Sequence, residues 1–416
     1  MNILLPTIGS AGDVHPMLEL GLALQARGHT ATVVTNPWFE KQARETGLGF
    51  IGMGTLEEAE AILSDERLWH PTKSFEFIAE RAIIPNIERL YEIVREHRAA
   101  NTIVAASGFC FGAQIAHEKL GVPLATVHLQ PTMLRSNIGG GMQGRIYVGE
   151  GMPRVVKRAL FWLLDKMVID RVLGPPINAV RAGVGLAPAG RIMKSYVHSP
   201  QLVMGLFPEW FAKPQPDWPP NTHLAGFVLH DASEQFPVGA EVDEFLATGA
   251  PPVVFTPGSA ASTMAAFFRE SVEACRITGN RAMLVTNFPE QLPRELPANV
   301  RAFSYLPFGK ILPRCAALVY PGGIGTMAQA TKAGIPHLVV PHAHDQPDNA
   351  LRVEKLGLGR RIYPDKYNAE RAAGLLREIV GSAEIRRRCA EYAGRIDSRA
   401  ALERACGLIE GLGCSD

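Results

Sequence analysis

Two glycine-bearing turns sit where an apolar run gives way to a helical pattern. The first follows residues 3–6 and reads Gly9-Ser10-Ala11-Gly12-Asp13, with helical spacing from about Pro16 to Arg27. The second follows residues 317–320 and reads Pro321-Gly322-Gly323-Ile324-Gly325-Thr326. A buried strand, a tight turn and a helix form the repeating unit of a parallel α/β sheet, because a parallel partner strand is reached only through a crossover. The unit recurs. Residues 31–35, 101–106 and 124–128 read as further strands of a first set, with a helix over 112–120. Residues 253–256, 282–286 and 337–340 join a second set. At 416 residues the chain exceeds one ordinary core, so two similar α/β halves with a cleft between the carboxyl ends of their strands are expected. The first spans 1–220 and the second 250–395. Pro208, Pro214, Pro216, Pro219 and Pro220 crowd out regular structure and open a linker placed at 221–249. A last helix over 396–416 can cross back to the first half.

Charge and cysteine usage exclude several functions. The 42 basic and 41 acidic side chains nearly cancel, which leaves no electrostatic footprint for a nucleic acid. Cys110, Cys275, Cys315, Cys389, Cys406 and Cys414 lack CxxC spacing, so neither a zinc site nor a disulfide framework follows, and reduced thiols in the cytoplasm are expected. The N-terminus lacks the basic and apolar regions of a signal peptide, and no apolar stretch is long enough to span a bilayer. Residues 154–173 combine basic side chains with a broad apolar face. Such a helix lies on a membrane or lines a lipid groove, or else packs on its own domain.

The turns carry the candidate chemistry. Asp13, at the end of the first strand, is either a general base for a hydroxyl or the cap of the following helix. His15 is a second candidate base, and its place before Pro16 suits a cap equally. Gly258-Ser259 follows one strand of the second half, Gly322-Gly323 follows another, and Gly325-Thr326 opens a helix whose first amides can face a diphosphate. Twenty residues on, Asp345-Gln346 offers acceptors and donors for sugar hydroxyls, or an Asx cap for its loop. Tyr305 stacks on a nucleobase or packs beside its strand. Phe109, His128 and Gln130, near strand ends of the first half, are acceptor-pocket candidates.

These residues resemble the inverting glycosyltransferases of the GT-B fold, two Rossmann-like domains facing each other across a cleft, a family that includes sterol, macrolide and glycopeptide glucosyltransferases. The resemblance runs from the Gly9 loop to about Gly359. It is carried by IGSAGDVHP from Ile8, DERLWHPTKSF from Asp65, AHEKLGVP from Ala116, INAVR from Ile177, PGGIGTM from Pro321 and AHDQPDNA from Ala343. The stretch HSPQLVMGLFPEWFAKPQPDWP from His198 is similar to the subgroup of the catalytic rhamnosyltransferase of bacterial rhamnolipid synthesis. The resemblance implies an acceptor in the first domain and a sugar nucleotide in the second. It places the catalytic base at Asp13, diphosphate contacts at Ser259, Gly323, Gly325 and Thr326, the sugar at Asp345 and Gln346, and the ring that covers the nucleobase at Tyr305; Gly12, Gly258 and Gly322 are further donor-binding candidates. Two departures stand out. Pro321 replaces the usual phosphate-binding His, and Gln329 stands where plant relatives use Glu to grip a ribose, which fits a deoxyribose donor.

The expectation is an inverting, metal-independent transfer of L-rhamnose from dTDP-L-rhamnose, a co-substrate rather than a cofactor, to a hydroxy fatty acid or related lipid. The enzyme would be cytoplasmic, with peripheral contact at the inner membrane face. Two alternatives remain: a glucosyltransferase using UDP- or dTDP-glucose on a polyketide or sterol, and a non-catalytic lipid- or enzyme-binding partner of the same fold. A Rossmann dehydrogenase fails, since Gly9-Ser10-Ala11-Gly12 lacks GxGxxG spacing and no acid ends the second strand near Thr35.

Overall fold

The computed structural model describes residues 1–70, 72–230, 238–258 and 264–413. They divide into two compact units: Met1–Leu68, Thr72–Val228 and Asp397–Asp416 in the first, Trp69–Pro71 and Leu229–Ile396 in the second.

The first unit holds β1 (Asn2–Pro6), β2 (Thr30–Thr35), β3 (Gly49–Gly52), β4 (Thr102–Ser107) and β5 (Leu124–His128). After a small antiparallel hairpin of β6 (Gly141–Gln143) and β7 (Ile146–Val148) come β8 (Leu202–Gly205) and β9 (Thr222–Leu224). The main sheet is parallel throughout, in the order β3-β2-β1-β4-β5-β8-β9. Helices cover both faces, so its central strands are near-continuous apolar runs: Ile3, Leu4 and Leu5 are all buried, as are Ile103, Val104 and Ala105.

The second unit repeats the plan with β10 (Val253–Phe255), β11 (Ala282–Val285), β12 (Val300–Phe303), β13 (Ala317–Tyr320), β14 (His337–Val339) and β15 (Gly359–Arg361), parallel in the order β12-β11-β10-β13-β14-β15. Each sheet starts in the middle, runs out to one side, and then returns to the other side of its first strand. The reversal falls between β1 and β4 in one unit and between β10 and β13 in the other. Loops leaving the carboxyl ends of such a strand pair diverge and open a crevice, the usual ligand site of an open parallel sheet.

Three expectations need correction. The first helix starts at Ala11, not near Pro16, because Ser10 and Asp13 cap it; Pro16 is buried inside the helix and gives up one backbone hydrogen bond. Residues 221–249 are not plain linker: Thr222–Leu224 pairs with β8 as the edge strand β9, and Ala240–Ala247 is a helix. Pro219 and Pro220 stop just short of that edge strand, where a missing amide costs least. The basic segment is a helix (Arg154–Leu164), a π turn (Asp165–Ile169) and a second helix (Asp170–Gly183).

The final helix, Ser398–Leu412, belongs to the first unit. Arg27 holds Glu410 through two hydrogen bonds of 2.7 and 2.6 Å, and His29 Nε2 meets the same carboxylate at 2.8 Å. The five described cysteines are free and buried, while Cys414 lies outside the described residues. Among the described residues no helix is long and apolar enough to cross a membrane, and no three His, Cys, Asp or Glu side chains are grouped to hold a metal.

Candidate active site

In the first unit the β1 and β4 loops are tied together where Ile8 N–H donates to Ser107 Oγ at 3.3 Å. Asp13 stands in the first turn of helix Ala11–Ala26. Its Oδ2 accepts from Ser10 N–H at 2.9 Å and from the Ser10 hydroxyl at 3.4 Å, so one carboxylate oxygen is held and the other is not engaged by Ser10. Burial pushes this carboxyl up to about 6, against the lowering effect of both Ser10 bonds. The side chain caps the helix, and its raised carboxyl has the protonation range that a base near neutral pH would need. Gly9 is required by it. Its φ is +151°, and a Cβ there would lie 2.2 Å from Asp13 Oδ2.

The other first-unit candidates separate. His15, two residues on, leaves the helix in another direction and sets its ring edge-on to Phe39 at 6.0 Å. Gly12 is exposed, with only Ser10 Oγ near the place of a Cβ. Phe109, half-buried on the β4 loop, packs edge-on to Phe111, and Gln130 precedes a 3-10 turn beyond β5. His128 turns inward: it is 1% exposed, and its Nε2 meets His198 Nδ1 at 2.9 Å. Desolvation, then the neighbouring ring, holds His128 well below its ordinary range, and desolvation takes His198 to about 4. The pair is neutral and internal, so His128 stands behind an acceptor surface rather than on it.

In the second unit, the loops after β10, β13 and β14 leave adjacent carboxyl ends. Gly258 has φ +94°, and a Cβ on it would lie 3.8 Å from Pro321 Cγ, so the two glycine turns are close; Ser259 lies outside the described residues. Tyr320, fully buried, fixes the end of β13 by a 2.8 Å bond between its hydroxyl and His337 Nδ1. Gly322 has φ +102°, and a Cβ on it would meet Val339 Cγ1 at 2.7 Å. Gly323 then caps helix Ile324–Ala333 without a side chain. The amides of its first turn, which include Gly325 and Thr326, have no acceptor within the helix, and among the described residues neither Gly323 nor Gly325 has any atom near the place of a Cβ. Bare amides and a helix dipole facing open space suit an anion.

Gln329, one turn further on, donates from Nε2 to the His230 carbonyl at 3.2 Å. Asp345 ends the β14 loop as N-cap of helix Gln346–Lys355, and its carboxylate accepts from Asn349 Nδ2 at 2.6 Å. The same Asn349 amide donates to Gly322 O at 2.9 Å, bracing the sugar loop against the glycine loop. The sequence reading missed Asn349; its signal was the i, i+4 spacing from Asp345. Gln346 is 5% exposed, and its Oε1 accepts the amides of His342 at 2.8 Å and Ala343 at 3.2 Å, so this side chain first shapes its own loop. His344 takes a left-handed φ of +60° there, a strained state of the kind that clusters at ligand loops. Tyr305, after edge strand β12, is 51% exposed and offers its ring to solvent.

Residues 3–137 match the glycosyltransferase family 28 N-terminal domain, and residues 282–401 match the erythromycin biosynthesis protein CIII-like C-terminal domain. The solved glycosyltransferase of kitacinnamycin superposes with a TM-score of 0.76 at 20% identity, covering 99% of this chain and 98% of the other. The fold is that of the GT-B glycosyltransferases, and the two matched domains mark the chain as a glycosyltransferase. The first match contains Asp13, Phe109 and His128, and the second contains the loops at Gly322 and Asp345. Among curated relatives, the glycosyltransferase is 27% identical to O-mycaminosyltylonolide 6-deoxyallosyltransferase of Streptomyces fradiae, over 99% of this chain and 97% of the relative. Spinosyn rhamnosyltransferase SpnG, solved with thymidine diphosphate, has a TM-score of 0.65 at 20% identity, covering 97% of this chain and 99% of the other.

Proposed function

We propose that this glycosyltransferase is inverting and moves a deoxyhexose from a dTDP-sugar to the hydroxyl of a hydrophobic acceptor. In the specific form of the reading, the donor is dTDP-β-L-rhamnose and the acceptor a hydroxy fatty acid or related lipid, met at the inner membrane face. The observation that carries the chemistry is Asp13, a carboxylate pushed up to about 6 at the switch point of the first sheet. It takes the proton of the acceptor hydroxyl as that oxygen attacks C1 of the sugar and the C1–O bond to the diphosphate breaks. The negative charge passes to the leaving diphosphate. Backbone amides of Gly323 to Thr326 and the helix dipole stabilise it, in place of the His that Pro321 displaces and without a divalent ion. The Asp345 carboxylate and the Gln346 amide nitrogen hold sugar hydroxyls, Tyr305 covers the base, and Phe109 and Gln130 border the acceptor.

The rhamnosyl donor is supported by the 198–219 motif, by Gln329 in place of Glu, and by the thymidine diphosphate held by the spinosyn rhamnosyltransferase. A second reading is favoured by the macrolide-named relative: the same chemistry on a polyketide or other natural-product aglycone. A panel of dTDP-rhamnose, dTDP-glucose and UDP-glucose, each with a 3-hydroxyalkanoate dimer or a macrolide aglycone and with EDTA present, separates these. The reading expects turnover with dTDP-rhamnose and the lipid dimer, and a product of inverted anomeric configuration. Exclusive use of UDP-glucose, or retention of configuration, would overturn it.

A further inference from the structure

Helix Arg154–Leu164 and the π turn after it are built inside out. Two of their charged side chains go inward: Lys157 is fully buried, with Nζ donating to the carbonyls of Ile138 at 3.0 Å and Gly139 at 2.7 Å. Asp165, also buried, takes Arg135 Nη1 at 2.5 Å. Their large apolar side chains go outward. Val155 is 75% exposed, Trp162 61% and Met167 62%, with Val156, Leu163 and Val168 beside them. Six large apolar side chains gathered on one short segment form a patch of a kind that a monomer rarely leaves in water.

Charge gives the patch its partner. Arg154, Arg158, Lys166 and Arg171 are exposed on the same segment and make no side-chain hydrogen bond or ion pair among the described residues. Both carboxylates of the segment are occupied inward, Asp165 by Arg135 and Asp170 by the Ile192 amide at 3.0 Å. The outer surface is therefore apolar and cationic with no free acid, although the whole chain is nearly neutral. A groove of about 1110 Å³ opens beside it, between Phe161 and Trp162 on one side and Trp218 and Pro219 on the other. Asp13 is not among the residues that line it, and its His198 backs onto His128 at the end of β5.

We propose that this face docks on an anionic lipid bilayer, with Trp162, Met167 and Val155 entering the interface and the four cations meeting headgroup phosphates. The proposal deepens the peripheral membrane contact proposed above and rests on it, while the identity of donor and acceptor plays no part. The test is co-sedimentation of the full chain with phosphatidylcholine vesicles, with and without phosphatidylglycerol, alongside hydrolysis of the nucleotide sugar in free solution. Binding is expected only with phosphatidylglycerol and is expected to weaken with salt. The pair Arg158→Glu and Lys166→Glu should lower it by about thirtyfold or more, and Trp162→Ser with Met167→Ser by about tenfold or more. Folding by circular dichroism and solution hydrolysis should stay at wild-type levels in both. Equal binding to neutral vesicles, no binding, or variants that bind as tightly as wild type would each overturn the proposal. So would a wild-type dimer that Trp162→Ser and Met167→Ser dissolve, since the face would then belong to a second copy. Absent hydrolysis with intact vesicle binding would strike the transferase reading and leave the docking face standing.

Discussion

Asp13 is asked to be charged in a place that disfavours charge. Its carboxyl titrates near 6 in the folded protein and near about 4 in an unfolded chain, so the folded state holds the extra proton between those values. Stability contributed by this group therefore declines as pH rises from about 4 to 6 and is level above. Activity runs the other way, since the base must be ionised, and the acid limb of kcat should bend near pH 6. Asp13→Asn keeps an oxygen for the Ser10 amide and has no charge to desolvate. Its Tm at about pH 8 should equal or exceed that of wild type, and the acid limb should vanish from its residual rate; an unchanged limb would assign that titration to another group. Gly9→Ala should harm rate without removing any reactive group, because the new Cβ would displace the carboxylate. The sequence left Asp13 open between base and cap; the contacts with Ser10 show the cap, and the raised carboxyl leaves the proposed base role compatible with it.

In the proposed reading, donor binding turns on helix Ile324–Ala333. Gly322→Ala would strain a left-handed backbone and press on Val339, a cost of about 1–3 kcal/mol visible as a fall of several degrees in Tm. Thr326→Val should leave Tm alone and weaken dTDP binding by about tenfold, as for one lost hydrogen bond to a charged ligand. Calorimetric titration of dTDP and thermal melts check both. Strands such as β1, β4 and β13 were legible because each is an apolar run that stops at glycine or proline. β8, β9, β12 and β15 escaped notice, being three or four residues long and defined by pairing rather than by their own pattern. The inside-out helix at Arg154 was legible as basic and apolar, but which face turned outward depended on Ile138, Gly139 and Arg135, which lie far from it in sequence.

The whole molecule repeats one sheet plan twice, and the repeat was visible in the sequence because each half contains the unit of strand, glycine turn and helix. The inward side of helix Ser398–Leu412, with Ala401, Ala405 and Ile409 fully buried, packs in the first unit. Truncation after Ile396 should therefore lower Tm markedly, and Glu410→Ala should do so mildly. Hydrogen bonding to Arg27, more than its charge, holds Glu410 at about 2, so that this contribution is present above about pH 4 and fades as pH falls toward 2. The division of labour between the units is the central claim: acceptor activation by Asp13 in the first, nucleotide binding by the glycine loops in the second. It is tested most directly by measuring dTDP affinity and single-turnover transfer on Asp13→Asn. Wild-type affinity with transfer slowed by about hundredfold or more is the predicted result. Transfer at the wild-type rate, or nucleotide affinity lost together with rate, would contradict it.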